Sequence, residues 1–292
     1  MTQIIVTHDS SYHADDVFAV AVLLLKLGDA KVMRSRKQEV IEAADYIVDT
    51  GFIYNPKKNR FDHHQPSGAG YHSNGIPMSS FGLVWKEFGA ILAGGEREAA
   101  LIEKQLVIPQ DAHDNGIAIA DYKFDGIREY TVRDLFWSYV KHGKETEENL
   151  YKVFMDVAEV AKEILAREIK KAQETIKSGD TVMKIYNESS DKRLIILPEE
   201  LAWRDVLTST KDALFAIYPR NDGFWSAKAV PESFQSYAPR KPFPESWGGL
   251  SGEALIRISG VSDAIFCHKG LFMAAAKSKE GVIALAQKAL ER

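Results

Sequence analysis

Histidines and aspartates recur in short clusters along the first part of the chain. The clusters are His8-Asp9, His13-Ala14-Asp15-Asp16, Asp49-Thr50-Gly51, Asp62-His63-His64-Gln65 and Asp111-Ala112-His113-Asp114. Imidazole and carboxylate groups without thiolate are the ligands that manganese, iron, cobalt and zinc accept in proteins. The residue types therefore predict a metal site.

The number of candidate ligands favours two ions over one. Three histidines and three aspartates exceed what one ion with open coordination positions accepts, and they suit two ions about 3.5–4 Å apart that share an aspartate. Two divalent cations less three carboxylates leave one positive charge, which favours an anionic substrate such as a phosphoester. A water between the ions would be acidified toward neutral pH and become the nucleophile.

Each cluster also has an ordinary structural interpretation. Asp15 or Asp16 alone is typical of a helix N-cap, and so is Asp114. Asp49 before a Thr-Gly pair is typical of a turn. Taken together the clusters still favour a metal site, because adjacent histidines behind Asp62 serve no packing purpose. Asp111 and Asp114 would share a helix face, where two like charges repel unless a cation compensates them.

The elements that must position these residues alternate between strand and helix. Residues 4–7 are predicted to form a buried strand, and residues 15–27 an apolar helix. Strands over 31–33 and 46–48, with a helix over 38–44 between them, predict a parallel α/β sheet. The carboxyl ends of strands line the functional crevice of such sheets, so we expect the residues that follow the strands to lie together.

The remaining chain predicts a second, smaller α/β domain. We expect helices over 81–92 and 96–110, a long connecting helix over 147–177 that ends at 178–180, strands over 181–186, 194–197, 214–218 and 225–230, and a helix over 278–290. The predicted division is a metal-binding domain over 1–145, the connecting helix over 146–180, and a substrate-binding domain over 181–292.

Composition excludes several classes of protein. The single cysteine, Cys267, rules out an internal disulfide and a thiolate zinc cluster, and its apolar surroundings predict a buried small residue. The net charge of −4 does not predict a nucleic-acid partner by bulk electrostatics. No apolar stretch has the ~18 residues of a membrane span, and a strand-like start leaves no room for a signal peptide, so we expect a cytoplasmic protein.

The ordered clusters resemble the DHH phosphoesterase superfamily, and most closely the melanocyte-proliferating-gene family of exonucleases. Besides the clusters above, the resemblance is carried by Ser233-Phe234-Gln235-Ser236, Pro244-Glu245-Ser246-Trp247-Gly248-Gly249-Leu250 and Phe266-Cys267-His268-Lys269-Gly270. It implies a two-domain phosphodiesterase that uses two divalent ions, with Mn²⁺ as the metal. Relatives include a 3′-to-5′ RNA exonuclease, so the implied substrate is single-stranded RNA or a short oligonucleotide.

The resemblance also implies roles for individual residues. The implied metal ligands are His8, His13, Asp15, Asp49, His63, and Asp111 or Asp114. His64 and Asp62 take catalytic roles, with His64 close to the scissile phosphate or the leaving group. The candidates for substrate binding in the C-terminal part are Ser233, Gln235, Arg240, Lys241, His268 and Lys269.

Some assignments stay open at this point. The superfamily has an aspartate four residues after its first histidine, whereas His13 follows His8 by five, so His13 and Asp16 compete for one ligand position. Spacing alone leaves open whether Asp111 or Asp114 is the metal ligand. The sequence also does not determine whether the protein forms a homo-oligomer. Two rival functions remain: a small-molecule phosphohydrolase acting on a cyclic dinucleotide or pyrophosphate, and a metal-binding regulatory protein without catalysis.

Overall fold

The computed structural model describes residues 2–140 and 146–291. The chain divides into two compact units, Met1–Gln173 and Glu174–Arg292. Each unit contains one five-stranded sheet with helices around it. The predicted fold class, a parallel-sheet α/β unit followed by a second α/β unit, is confirmed.

The sheet of the first unit is almost wholly parallel. Its strands are β1 Gln3–Thr7, β2 Ala30–Arg34, β3 Tyr46–Val48, β4 Tyr54–Asn55 and β5 Arg60–Phe61. Their order across the sheet is β2-β1-β3-β5-β4, and only the β4–β5 pair is antiparallel. Three neighbouring strands, β1, β3 and β5, therefore run in the same direction and end at the same edge.

The described residues of the first unit include six α-helices that lie wholly within it. They are α1 Ala14–Leu27, α2 Gln38–Glu42, α3 Ser80–Ala93, α4 Glu96–Ile102, α5 Ile108–Asp114 and α6 Val132–Trp137. Helix α1 is buried from Asp15 to Leu24, and the ring of its Phe18 stacks on Phe81 of α3 at 4.9 Å. The first turn of α1 is thus held inside the unit, because apolar contacts surround the rest of the helix.

The helix predicted over 96–110 forms, with one irregular turn. Helices α4 and α5 are joined by a π-helical turn over Glu103–Val107, where the Ile108 N–H donates to the carbonyl of Glu103. Such single π turns inside α-helices are frequent at functional sites. Helix α5, which follows this turn, carries both Asp111 and Asp114.

The long helix α7, Glu147–Glu188, is longer than predicted. The prediction that residues 178–180 end it and that a strand covers 181–186 is wrong. Gly179 and Val182 are buried, and a Cβ on Gly179 would lie 3.2 Å from Val206. The glycine therefore permits close packing of the helix within the second unit rather than terminating it.

The second unit carries a mostly antiparallel sheet. Its strands are β6 Leu194–Ile196, β7 Phe215–Pro219, β8 Trp225–Ala229, β9 Ala264–Cys267 and β10 Met273–Ala276. The order is β6-β7-β8-β10-β9, with β6 and β7 parallel and the other pairs antiparallel. Helices α8 Trp203–Ser209, α9 Gly252–Ser259 and α10 Lys279–Leu290 complete the unit.

Cys267 lies at the end of β9, and the prediction that it is a buried residue is confirmed. Its burial raises the pKa of the thiol to about 11, so the reactive thiolate is scarce at neutral pH.

Among the helices that the structure describes, none has the length and hydropathy needed to cross a membrane.

Candidate metal centre

Three adjacent parallel strands deliver one polar residue each to the same edge of the first sheet. His8 follows β1, Asp49 follows β3, and His63 comes two residues after β5. Because β1, β3 and β5 are neighbours with a common direction, the three side chains converge. Asp49 has a left-handed backbone with φ of 53°, a conformation that aspartate tolerates better than most residues.

The first turn of α1 adds two buried carboxylates to this edge. Asp15 is 1% exposed and Asp16 is fully buried. Asp16 accepts a hydrogen bond of 2.9 Å from the backbone N–H of His13, which begins the helix. Asp16 is therefore the third residue of the helix in a capping box whose N-cap is His13, and not itself the N-cap. Its other oxygen lies 3.1 Å from Nε2 of His8.

Two arginines, Arg34 at the end of β2 and Arg36 after it, bind the loop that separates His8 from His13. Arg34 donates to the carbonyls of Ser10 and Ser11 at 2.9 and 3.1 Å, and Arg36 donates to the Asp9 carboxylate at 2.6 Å. This loop accounts for the five-residue spacing between the two histidines, since the chain leaves the strand, turns and enters α1 at His13.

Asp49 lies between buried His8 and partly buried His63. Its Oδ2 is 3.3 Å from Nε2 of His8, and its Oδ1 is 3.3 Å from Nε2 of His63. The same nitrogen of His63 lies 3.3 Å from Asp114 and 3.9 Å from Asp15. One carboxylate that presents an oxygen to each of two histidines has the arrangement of a ligand shared by two ions.

Among residues 2–140 and 146–291, three overlapping groups of side chains have ligand atoms close enough to bind an ion. Within each group one ligand atom per residue lies within 4.8 Å of the others. The groups are His8, His13 and Asp49; Asp49, His63 and His64; and His13, Asp15 and Asp114. The structure therefore contains acidic and histidine groups that can bind a metal.

The hydrogen-bonding pattern of this cluster fits a cation. His8 Nδ1 lies 2.9 Å from the Asp9 carbonyl, which can only accept, so Nδ1 carries the proton and Nε2 is left as a ligand atom facing carboxylates. Neither oxygen of Asp15 receives a hydrogen bond from any described residue, although both are buried. Buried carboxylates without donors are costly unless a cation compensates them.

The electrostatics of the cluster lead to the same conclusion. Burial, and then the charges of Asp49 and Asp114, raise the pKa of Asp15 well above its usual value. Burial acts against a charged His8, but hydrogen bonds to Asp16 and Asp49 outweigh it and raise the pKa of His8 to about 10. Without a metal, therefore, a proton on His8 supplies positive charge that the carboxylates require.

Asp62 and His64 form a pair beside the cluster. Asp62 is buried and accepts from the backbone N–H groups of Phe52 and His64, at 2.6 and 2.9 Å. His64 Nδ1 lies 2.9 Å from the same carboxylate, and this hydrogen bond is the main cause that raises the pKa of His64. The His64 side chain is 52% exposed, so Asp62 orients an imidazole that solvent and substrate can reach.

Asp111 and Asp114 lie in different surroundings although they share α5. Asp114 faces the cluster through His63. Asp111 is fully buried, and its oxygens are bound by His72 Nε2 at 2.6 Å, Ser79 Oγ at 2.6 Å and the Gly82 N–H at 3.1 Å. Asp111 thus anchors α5 to α3, and the structure brings Asp114, rather than Asp111, to the candidate ligands.

Asp111 packs so closely against position 82 that only a glycine fits there. Gly82→Ala is therefore expected to lower the free energy of unfolding by about 1–3 kcal/mol through overpacking. A Cβ on Gly82 would lie 1.9 Å from Asp111 Oδ2 and 3.2 Å from His72 Nε2. Urea unfolding of the metal-free protein measures the change. Lys86→Ala, at an exposed position of the same helix, is the control; equal stability of the two variants would contradict the tight packing.

The predicted substrate-binding residues lie in the second unit. Ser233 and Gln235 are exposed, and Lys269 is exposed next to half-buried His268. Arg240 donates to backbone carbonyls, including those of Thr210 at 2.7 Å and Ala213 at 3.2 Å. The Arg240 guanidinium therefore has a structural role, and Lys241 beside it is half-buried.

Several polar residues around the centre were not predicted from the sequence. His72, Ser79, Ser80 and Glu103 stand alone in the chain without a motif. Ser80 donates to Asp49 at 3.0 Å, and Glu103, from the π-helical turn, lies 2.7 Å from His72 Nδ1. His72 and Glu103 are 31 residues apart in the sequence. No sequence pattern links two residues at such a separation, so their contact could not be predicted.

The fold and the cluster define a class: an α/β protein with a histidine–carboxylate centre at the carboxyl edge of a parallel sheet. The profile of the MYG1 exonuclease family, described as "Uncharacterised protein family (UPF0160)", matches residues 4–290. The chain belongs to this family.

Relatives in this family are similar over most of their length. The MYG1 protein of Chlamydia pneumoniae is 32% identical over 289 residues, which cover 94% of this chain and 92% of the relative. The human MYG1 exonuclease is 29% identical over 327 residues, covering 97% of this chain and 85% of the relative. The mouse MYG1 exonuclease is 28% identical, covering 97% and 84%. No solved structure matches the chain.

Proposed function

We propose that this protein is a metal-dependent phosphodiesterase that acts as a 3′-to-5′ exonuclease on single-stranded RNA or short oligonucleotides. The observation that carries the proposal is the position of Asp49, with one oxygen toward His8 and the other toward His63. The exonuclease names of the human and mouse relatives support the reaction class. Membership of the DHH phosphoesterase superfamily is part of the same proposal.

Six side chains would hold two divalent ions, with Mn²⁺ as the metal. They are His8, His13, Asp15, Asp49, His63 and Asp114. Asp16 bonds to the His13 N–H and lies against His8, so we assign it to the orientation of these two histidines and keep it as a secondary ligand candidate. Bound ions would supply a water acidified toward neutral pH and would offset the charge of a phosphodiester.

The chain's own groups would position the substrate around this centre. Asp49 is fixed by the Ser80 hydroxyl, so its two oxygens keep their directions. Asp62 holds His64 with Nε2 turned away from the bonded Nδ1, where the imidazole can donate to a phosphate oxygen or to a leaving group. We keep Ser233, Gln235, Lys241, His268 and Lys269 of the second unit as proposed substrate contacts. We exclude Arg240, because both of its terminal nitrogens donate to backbone carbonyls.

Incubation of the purified chain with a short 5′-labelled single-stranded RNA tests the proposal. With Mn²⁺ we expect a ladder of products that shorten from the 3′ end, and with EDTA we expect none. Cyclic dinucleotide and pyrophosphate are assayed in parallel. Hydrolysis of these small molecules alone would replace the nuclease with a small-molecule phosphohydrolase, and bound Mn²⁺ without hydrolysis of any phosphoester would point to a regulatory protein.

A further inference from the structure

A small pocket opens beside the candidate metal centre within the first unit. It has a volume of about 100 Å³ and is lined by His13, Ala14, Asp15, Gln110, His113, Asp114 and Arg133. Three of these residues, His13, Asp15 and Asp114, form one of the candidate metal-binding groups. The pocket is well below the ~300 Å³ at which sites for whole ligands begin, so it suits a group of the size of a phosphate.

Helix α6 holds the backbone of Arg133 next to this pocket. Phe136, one turn further on, is 1% exposed and its ring lies 5.4 Å from that of Phe18 in α1. The hydroxyl of Tyr12 donates to the Phe136 carbonyl at 2.9 Å. Thr131 caps the helix and pairs with Asp134. These contacts hold both ends of the short helix α6 and thereby set the position of the Arg133 backbone.

The guanidinium of Arg133 has no hydrogen bond or ion pair with any residue in the part of the chain that the structure describes. Arg128, five residues earlier, shows the contrast, because it binds both oxygens of Asp134 at 2.6 Å. A guanidinium presents donors in a planar fork that matches two oxygens of a phosphate. Arg133 is therefore an available anion-binding group at the edge of a metal centre.

The formal charge of the metal centre indicates why a cationic side chain such as Arg133 would be needed beside it. Four carboxylates, those of Asp15, Asp16, Asp49 and Asp114, lie within 3.9 Å of His8 or His63 Nε2. Two divalent ions carry four positive charges, so ions and carboxylates together are neutral rather than positive by one. An anionic phosphate then needs a further cation close to the ions, and Arg133 stands in the same pocket.

We infer that Arg133 binds the phosphate group of the substrate, and of the phosphate-bearing product, in this pocket. This inference rests on the proposed function and names a substrate-binding residue for it. The ligand class is a phosphate ester whose oxygens are shared between the guanidinium and the metal centre. Arg133 fixes the phosphate and does not hold the ions, so phosphate affinity and metal affinity should respond differently to its replacement.

Isothermal titration of the full chain tests this inference with two probes, Mn²⁺ alone and adenosine 5′-monophosphate in the presence of Mn²⁺. Arg133→Gln should bind Mn²⁺ like the wild type and bind the monophosphate about tenfold or more weakly, the loss of one charge-assisted bidentate contact. Arg133→Lys should recover part of the affinity. Arg167→Gln, which removes an exposed arginine paired with Glu163 on α7, should leave both affinities unchanged.

The kinetic counterpart is a rise of KM for RNA in Arg133→Gln. Equal monophosphate affinity in the wild type and Arg133→Gln would overturn the inference, as would absence of monophosphate binding to the wild type. Failure of the proposed function looks different, because the wild type would then hydrolyse no phosphodiester. Monophosphate binding that depends on Mn²⁺ and on Arg133 would still support the role of Arg133 in that case.

Discussion

Asp49→Asn is expected to reduce Mn²⁺-dependent hydrolysis by at least about 10³-fold, since even residues that only orient metal ligands contribute 10–100-fold. The amide keeps the size of the side chain and one oxygen for the Ser80 hydroxyl. It replaces the other oxygen with an NH₂ group, which cannot bind a cation. One of the two histidines therefore loses its shared partner, and affinity for one ion falls together with turnover. Initial rates and Mn²⁺ titration of the same preparation measure both effects.

Asp29→Asn is the matched control, because it makes the same chemical change at an exposed position between α1 and β2. This control should retain wild-type rate and metal binding. Asp49→Asn with undiminished turnover would contradict the proposed metal site. A fall in turnover with two ions still bound at wild-type affinity would show that Asp49 acts on the reaction without sharing the ions.

The second large expected effect is on stability, and it should differ between Asp111 and Asp114 of helix α5. Asp111→Ala is expected to lower the free energy of unfolding of the metal-free protein by about 3 kcal/mol or more, because it leaves buried partners of a charge unpaired. The partners are His72, Ser79 and the Gly82 N–H. Asp114→Ala should cost little stability or increase it, since Asp114 lies among other carboxylates and burial and the charge of Asp49 raise its pKa.

Metal binding should rank the two variants in the opposite order. Asp114→Ala is expected to lose Mn²⁺ affinity although it stays folded, and Asp111→Ala to retain affinity at temperatures where it is folded. Urea unfolding without metal, followed by Mn²⁺ titration at low temperature, measures both quantities. Loss of stability in Asp114→Ala with unchanged metal affinity, together with the reverse in Asp111→Ala, would exchange the two assignments.

The sequence predicts the first sheet and its polar edge because strong local patterns carry that information. An apolar strand followed by His8, and a helix with an apolar run from Val17 to Leu25, are short-range signals, and both elements form. The convergence of strand ends then follows from the rules of parallel sheets. Strands β4, β5 and β10 were not predicted, because two-residue strands and an alanine-rich segment show no clear alternation. Strand β9 was not predicted either, because its sequence, Ala-Ile-Phe-Cys, is a short continuous apolar run without alternation.

The misassigned end of α7 has a comparable cause. Gly179 between Ser178 and Asp180 has the composition of a helix terminator, but tertiary packing against Val206 overrides this local preference. The different environments of Asp111 and Asp114 depend on His72 and Ser79, which are distant in sequence. The position of Arg133 at the pocket depends on the packing of Phe136 against Phe18 of α1, a contact between residues distant in sequence. A single arginine outside any motif therefore does not predict it.

The most direct test of the central claim is the number and mutual distance of the metal ions that the chain binds. Titration with Mn²⁺, followed by electron paramagnetic resonance, should show two ions per chain whose spins are coupled at about 3.5–4 Å, as in two-metal phosphoesterases. A single uncoupled Mn²⁺ per chain, or none, would contradict a centre in which Asp49 joins two ions.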